Sequence, residues 1–163
     1  MLPVVSIFAF KITQVMKVLL ILPLLLFSVI AGAQTAILVE DSTTSALGIG
    51  GTAQIGYAFA KGDVVTIEAQ ASKQLDRMLA YRYPEEVIGR VKLTRKPKLT
   101  FTMQEDGIVI FRFVSDRDGT NKIVYKVTRT PASEAMQHYS TKVTWLAPTD
   151  RAGQLIPKRV EGD

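Results

Sequence analysis

From Thr52 to Trp145 apolar and polar residues alternate in short runs, and nearly every run closes on a turn signal. Successive side chains of a strand point to opposite faces, so this period lets each run bury one face of a sheet, whereas a helix would scatter the same residues around its circumference. "VVTIEAQ" (64–70) sets Val65, Ile67 and Ala69 against Thr66 and Glu68. "KIVYKVTR" (122–129) sets Ile123, Tyr125 and Val127 against Lys126 and Thr128. "FTMQEDGIVIFRFVSD" (101–116) shows the pattern twice. Leu99, Phe101 and Met103 share one face before Glu105-Asp106-Gly107; Val109, Phe111 and Phe113 share one after it, with Arg112 opposite beside Ile108, Ile110 and Val114. This stretch is expected to be a central hairpin, with Gly107 supplying a positive backbone angle at the turn.

Further strands are expected at 35–40, 52–60, 77–83, 86–93 and 141–145, the charged 86–93 at a sheet edge. No long amphipathic helix interrupts them. About eight short strands at near-regular spacing define an all-β protein, an antiparallel β-sandwich or jelly roll. Between strands, "DSTTSALGIGG" (41–51) reads as a polar connection and "KLTRKPK" (92–98) as a solvated loop. "TPASEAMQHYS" (130–140) predicts a short helical turn capped by Thr130, with Pro131 at its first position.

The N-terminus differs. Lys17 stands before an apolar run, 18–30, and the small residues Ala31-Gly32-Ala33. That is the three-part pattern of a secretory signal peptide, with cleavage expected before Gln34. The run is shorter than the ~20 residues that cross a bilayer, so no membrane span is expected in the mature chain. The organisation expected is a signal peptide over 1–33, with 1–15 a possible upstream extension if Met16 is the start. A sandwich domain over 34–146 and a polar flexible tail over 147–163 follow. The location expected is the periplasm or the extracellular space.

Lys11 and Lys17 are the only charged residues before Gln34, so the net charge of +5 falls to +3 without that segment. With no basic block interleaved with aromatics in the sequence, nucleic acid is not an expected partner. Cysteine is absent, which excludes disulfides and thiol chemistry.

"KLTFTMQEDGIVIFRFVSD" followed by "NKIVYKV", together with the earlier "YAFAKGDVVTIEA" (57–69), is similar to the GOLD (Golgi dynamics) domain, on Glu105, Asp106, Gly107, Phe111 and Phe113. The resemblance covers about residues 55–128 and implies a β-sandwich that serves as a non-catalytic interaction domain. Arg112 stands where that family carries a paired cysteine, and the polar segment 147–163 stands where the family continues into a coiled coil and an anchor, so cargo-receptor function is not expected to carry over. The chain also resembles small bacterial exported proteins that end in an "RTPAS…VTW" segment.

Catalysis needs convergent acid, base or nucleophile groups. His138 is the only imidazole, and a small hydrolase built on it is the enzymatic alternative. The pairs Glu85-Glu86 and Glu105-Asp106 are sequence neighbours, which strands turn to opposite faces. Asp116, Asp118, Thr120 and Asn121 around Gly119 resemble a calcium loop, but Val127 stands where an EF-hand needs its bidentate glutamate, and the same residues suit a hairpin turn. Tyr81, Arg82 and Tyr83 beside Pro84 form a candidate rim for a sugar or peptide. No cofactor is expected. The function expected is that of an exported, non-enzymatic module binding a protein or glycan partner of unknown identity. The alternative is a structural subunit docking through an edge strand.

Overall fold

The structure is a computed structural model and describes residues 34–146 and 156–161. The proposed signal peptide lies outside the described residues. Among the described residues ten strands run in order: β1 (Ile37–Leu47), β2 (Thr52–Phe59), β3 (Val64–Ala71), β4 (Leu75–Arg82), β5 (Glu86–Thr94), β6 (Lys98–Thr102), β7 (Gly107–Ser115), β8 (Thr120–Thr130), β9 (Val143–Leu146) and β10 (Ile156–Arg159). Two four-stranded antiparallel sheets, β1-β8-β3-β6 and β2-β7-β4-β5, form a sandwich, and β9 and β10 pair separately. Every connection between consecutive strands from β1 to β8 changes sheet except β4–β5. This winding is a jelly roll.

The alternation decides which residues meet between the sheets. Val65 and Ile67 of β3, Met78 of β4, Val109, Phe111 and Phe113 of β7, and Ile123 and Val127 of β8 have no exposed surface. Phe101 meets Phe111 and Phe113 meets Tyr125 across the gap, each pair with ring centroids 6.3 Å apart. Tyr57 and Tyr125 bring their hydroxyls together at 3.3 Å. Burial, and then the Tyr125 hydroxyl, push the Tyr57 phenol well above its ordinary range.

The 101–116 stretch is not a hairpin. β6 pairs with β3 in one sheet and β7 lies between β2 and β4 in the other. Glu105-Asp106-Gly107 is the corner where the chain changes sheet, and each residue has its own task there. Glu105 binds Arg82 Nη1 at 2.6 Å, and Asp106 Oδ1 accepts from the Lys61 amide at 2.6 Å in the β2–β3 turn. Gly107 has no positive φ. Instead the Arg82 side chain packs over it, and a Cβ there would lie 3.1 Å from Arg82 Cδ. The 115–121 segment likewise connects opposite sheets, because β7 and β8 are not partners.

Other boundaries also differ from expectation. β1 continues through Leu47 and pairs with β8 as far as Thr120, so only 48–51 remains as connection. The Ser and Thr residues of 42–45 suit this edge strand, which shows one face to water. β5 is an edge strand as its charges imply, but Lys92 belongs to it and Lys98 to β6, leaving 95–97 as the loop. The helical turn is a three-residue 3-10 turn, Glu134–Met136, with Ser133 rather than Thr130 at its cap. The tail expected over 147–163 contains β10, whose Pro157 lies opposite Trp145 of β9.

At one end of the sandwich a charged pair is fully enclosed. Asp63, just before β3, and Arg129, near the end of β8, are 0% and 2% exposed. Asp63 Oδ2 accepts from Arg129 Nη1 at 3.2 Å and from the Ala60 amide at 3.0 Å, and Oδ1 accepts from the Ala132 amide at 3.3 Å. Arg129 Nη2 donates to the carbonyls of Met136 (3.0 Å) and Gln137 (2.7 Å). The pair therefore fastens the 131–139 segment to the body. Tyr139 extends the fastening, with Arg159 of β10 4.2 Å above its ring.

Candidate functional site

The outer face of sheet β2-β7-β4-β5 carries a groove of about 800 Å³, whose lining includes Gln54, Leu79, Tyr81, Tyr83, Arg112 and Trp145. Its residues follow from register. Gln54 (β2), Arg112 (β7) and Leu79 (β4) lie side by side in one row, and Gly56, Ile110 and Tyr81 in the next. All of them stand out of phase with the core residues of their strands.

Trp145 of β9 closes one side. Its indole lies on Gly56, where a Cβ would come within 2.9 Å of Trp145 Cζ2. Glycine in the middle of β2, otherwise a weakness in a strand, is what lets the ring lie against the sheet. Ile110, in the adjoining position, is only 3% exposed although it faces away from the core. The opposite wall is the β4–β5 turn, Tyr83, Pro84 and Glu85, together with Val87 of β5. Tyr83 is 41% and Val87 57% exposed, which leaves an apolar rim in contact with water.

A fixed guanidinium stands in the middle. Arg112 Nη2 donates to Tyr81 Oη at 3.0 Å, and its Cζ lies 5.0 Å from the Tyr81 ring centroid, within cation–π range. With the Gln54 amide oxygen turned toward it, that oxygen accepts from Arg112 Nε at 2.9 Å and Nη2 at 3.0 Å. The site thus combines flat aromatic surfaces with planar polar groups held in place by one another.

Of the three rim residues expected from sequence, Tyr81 and Tyr83 line the groove. Arg82 does not, because strand alternation turns it to the other side, where it binds Glu86 and Glu105. The Glu105 carboxylate, and then Glu86, hold the Arg82 guanidinium more firmly protonated than usual. Gln54, Arg112 and Trp145 were missed as site residues. For Arg112 the signal was present, a charge out of phase with Phe111 and Phe113; for Trp145 it was not, because its place depends on how β9 folds back.

The four calcium-like residues do not converge. The Asn121 side chain is buried and occupied, accepting from the Lys73 amide at 2.9 Å and from Ser72 Oγ at 3.2 Å while donating to Lys73 O at 3.2 Å. The Lys73 ammonium binds the Asp118 carbonyl, setting a positive charge where a cation would sit. Among the described residues no cluster of three or more His, Asp or Glu side chains is arranged to hold a metal. His138 is exposed beyond the 3-10 turn, and among the described residues no hydrogen-bonded carboxylate accompanies it. No helix among the described residues is long and apolar enough to cross a membrane.

No protein-family model matches the chain, and no curated relative matches it. Among solved structures it is similar to one from the disulfide-linked pili of Bacillus endospore appendages, at 10% identity and TM-score 0.36, over 61% of this chain and 92% of that one. It is similar to a CBM4 carbohydrate-binding module at 16% identity and TM-score 0.37, over 62% and 81%. It is also similar to the C-terminal CBM6 of a laminarinase from Zobellia galactanivorans at 14% identity and TM-score 0.36, over 58% and 90%. Likenesses of this size assign neither ligand nor assembly to this chain.

Proposed function

We propose that this chain is an exported, non-catalytic β-sandwich module that binds a glycan in the groove on the outer face of sheet β2-β7-β4-β5. The observation that carries the reading is the pairing of Tyr81 and Trp145 with the immobilised Arg112–Gln54 pair. Sugar rings present apolar C–H faces and hydroxyl edges. Aromatic surfaces suit the first and planar hydrogen-bonding groups the second, and an open groove admits a chain rather than a single small molecule. The GOLD-like stretch points the same way, toward an interaction domain.

Replacing Tyr81 or Trp145 by alanine is expected to weaken binding of a recognised soluble polysaccharide at least about tenfold, which is ~1.4 kcal/mol. Affinity electrophoresis through gels containing single polysaccharides measures this, with the thermal melt of each variant as a fold control. Unaltered retardation of both variants would place any glycan site elsewhere. Export is tested separately, by the intact mass of the protein recovered outside the cytoplasm. An N-terminus at Gln34 is expected, and a mass that retains residues 16–33 would contradict cleavage there.

The second reading is docking through an edge strand. Its basis is that β1, β5 and β6 each have one side unpaired within their sheets, whereas the outer side of β2 is partly met by the Thr141 carbonyl, which accepts from the Ala58 amide at 3.0 Å. Concentration-dependent self-association in sedimentation, abolished by a charge placed on one of these edges, would favour it.

A further inference from the structure

We infer that the groove's ligand is an acidic polysaccharide, one that carries carboxylate groups on its sugar rings; this rests on the glycan reading above and narrows it. The basis is a second property of the same sheet face. Register sets Gln54, Arg112, Leu79 and Arg90 in one row across β2, β7, β4 and β5, and Thr52, Val114, Arg77 and Lys92 in the next. Arg77, Arg90, Lys92 and Arg112 therefore leave the sheet on the same side, the side that bears Tyr81. They come from three different strands: Arg90 and Lys92 open the basic stretch "RVKLTRKPK" (90–98), and Arg77 and Arg112 join them only through register.

Their charge is largely uncompensated. Among the described residues no carboxylate lies within ion-pair distance of Arg90, Lys92 or Arg112, and Arg77 has only its neighbour Asp76, at 3.4 Å. Lys98 shows the contrast: it faces out of the other sheet and is paired with Glu68 at 2.6 Å. Arginine is the side chain whose planar fork matches a carboxylate. On one face of a sheet, like positions recur about every 6.6 Å along a strand and about 4.8 Å between strands, so these cations are spaced on the scale of successive sugar units.

The face is divided in two. Its aromatic half (Tyr81, Tyr83, Trp145) takes the ring faces, with Glu85 on the outer wall keeping acidic groups away from that side, and its cationic half takes the charges. A few cations beside apolar surface fit a chain with about one charge per sugar better than a densely sulfated one. The groove floor is made of side chains, Leu79 and Ile110. It therefore lacks the free backbone edge by which an extended acidic peptide would be held.

The test uses the full chain in affinity electrophoresis and calorimetry with polygalacturonate or alginate, dextran sulfate, neutral dextran, polyglutamate and single-stranded DNA. Arg90→Gln combined with Lys92→Gln is the charge variant; both side chains are exposed, so its fold should be unaffected, as a melt will verify. The expected result is retention by a polyuronate, weakened about tenfold or more by the double variant. Raising salt from 50 to 500 mM should also weaken it severalfold, because exposed charges are screened. Salt-insensitive binding to a neutral glycan with none to polyuronates would overturn the acidic ligand and leave the glycan reading standing. Stronger binding to dextran sulfate would overturn the carboxylate assignment. Equal binding to polyglutamate or DNA would overturn the inference in favour of a general polyanion surface. Absence of binding to every glycan over a broad panel would remove both readings.

Discussion

Phe111→Ala is expected to destabilise the protein by about 3–5 kcal/mol, a large part of the ~5–15 kcal/mol that holds a typical domain together. Phe111 has no exposed surface, lies in the central strand β7 and packs against Phe101 of the opposite sheet. Truncation leaves a cavity between two sheets whose separation other side chains already fix, so collapse into the space is limited. The neighbouring positions set an order. Ile110→Ala should cost about 2–4 kcal/mol, less than Phe111 but more than a surface change, because Trp145 and its surroundings cover the outer face there. Arg112→Ala should cost less again. Gly107→Val should destabilise by less than Phe111→Ala: it brings no positive-φ strain, but the Arg82 stem, 3.1 Å from the added Cβ and tied to Glu86 and Glu105, must shift. Denaturant melts with unchanged slope decide the matter. An Arg112→Ala cost above that of Phe111→Ala would invert the assigned faces.

Asp63→Ala is expected to cost a comparable ~3–5 kcal/mol, because it strands the Arg129 guanidinium, 2% exposed, without its counter-charge. It also removes the acceptor for the amides of Ala60 and Ala132, so the 131–139 segment should become more mobile. Removing the charge from both partners together, with Asp63→Leu and Arg129→Met, should cost clearly less than the two single changes added, since neither charge is then left buried alone. Strict additivity of the two would show that the pair does not act as a unit. Chemical denaturation supplies the energies, and amide exchange over 131–139 reports the loosening.

Faces were legible in the sequence and partners were not. A period of two says that Val109, Phe111 and Phe113 point together, but an acidic turn looks alike whether the chain folds back beside itself or crosses to the opposite sheet. That is why 101–116 reads as a hairpin and forms a corner. The buried polar residues were also readable from phase. Asn121 and Arg129 continue the inward series of Ile123, Tyr125 and Val127, and Ser115 continues that of Phe111 and Phe113. Polar residues at the ends of inward series mark the two ends of the sandwich, where backbone groups are at hand to bond them.

The groove was half legible. Tyr81 and Tyr83 stand out as aromatics two apart, while Tyr57 and Phe59, with the same spacing, point into the core. Only the identity of the flanking buried residues, Met78 and Ala80 for the first pair, separates the two cases. Arg90 and Lys92 share a face by alternation along β5, but Arg77 and Arg112 become their neighbours only through strand register, which no local pattern specifies.

Trp145 is the only tryptophan in the chain and lines the groove, so its fluorescence reports on the site alone. Titrating the full chain with soluble polysaccharides while following this emission tests the central claim most directly. A saturable change in intensity or wavelength with at least one glycan, abolished by Tyr81→Ala, is the result expected. Calorimetric binding of a glycan that leaves the Trp145 emission unchanged would contradict the account, as would indifference to every polysaccharide tried.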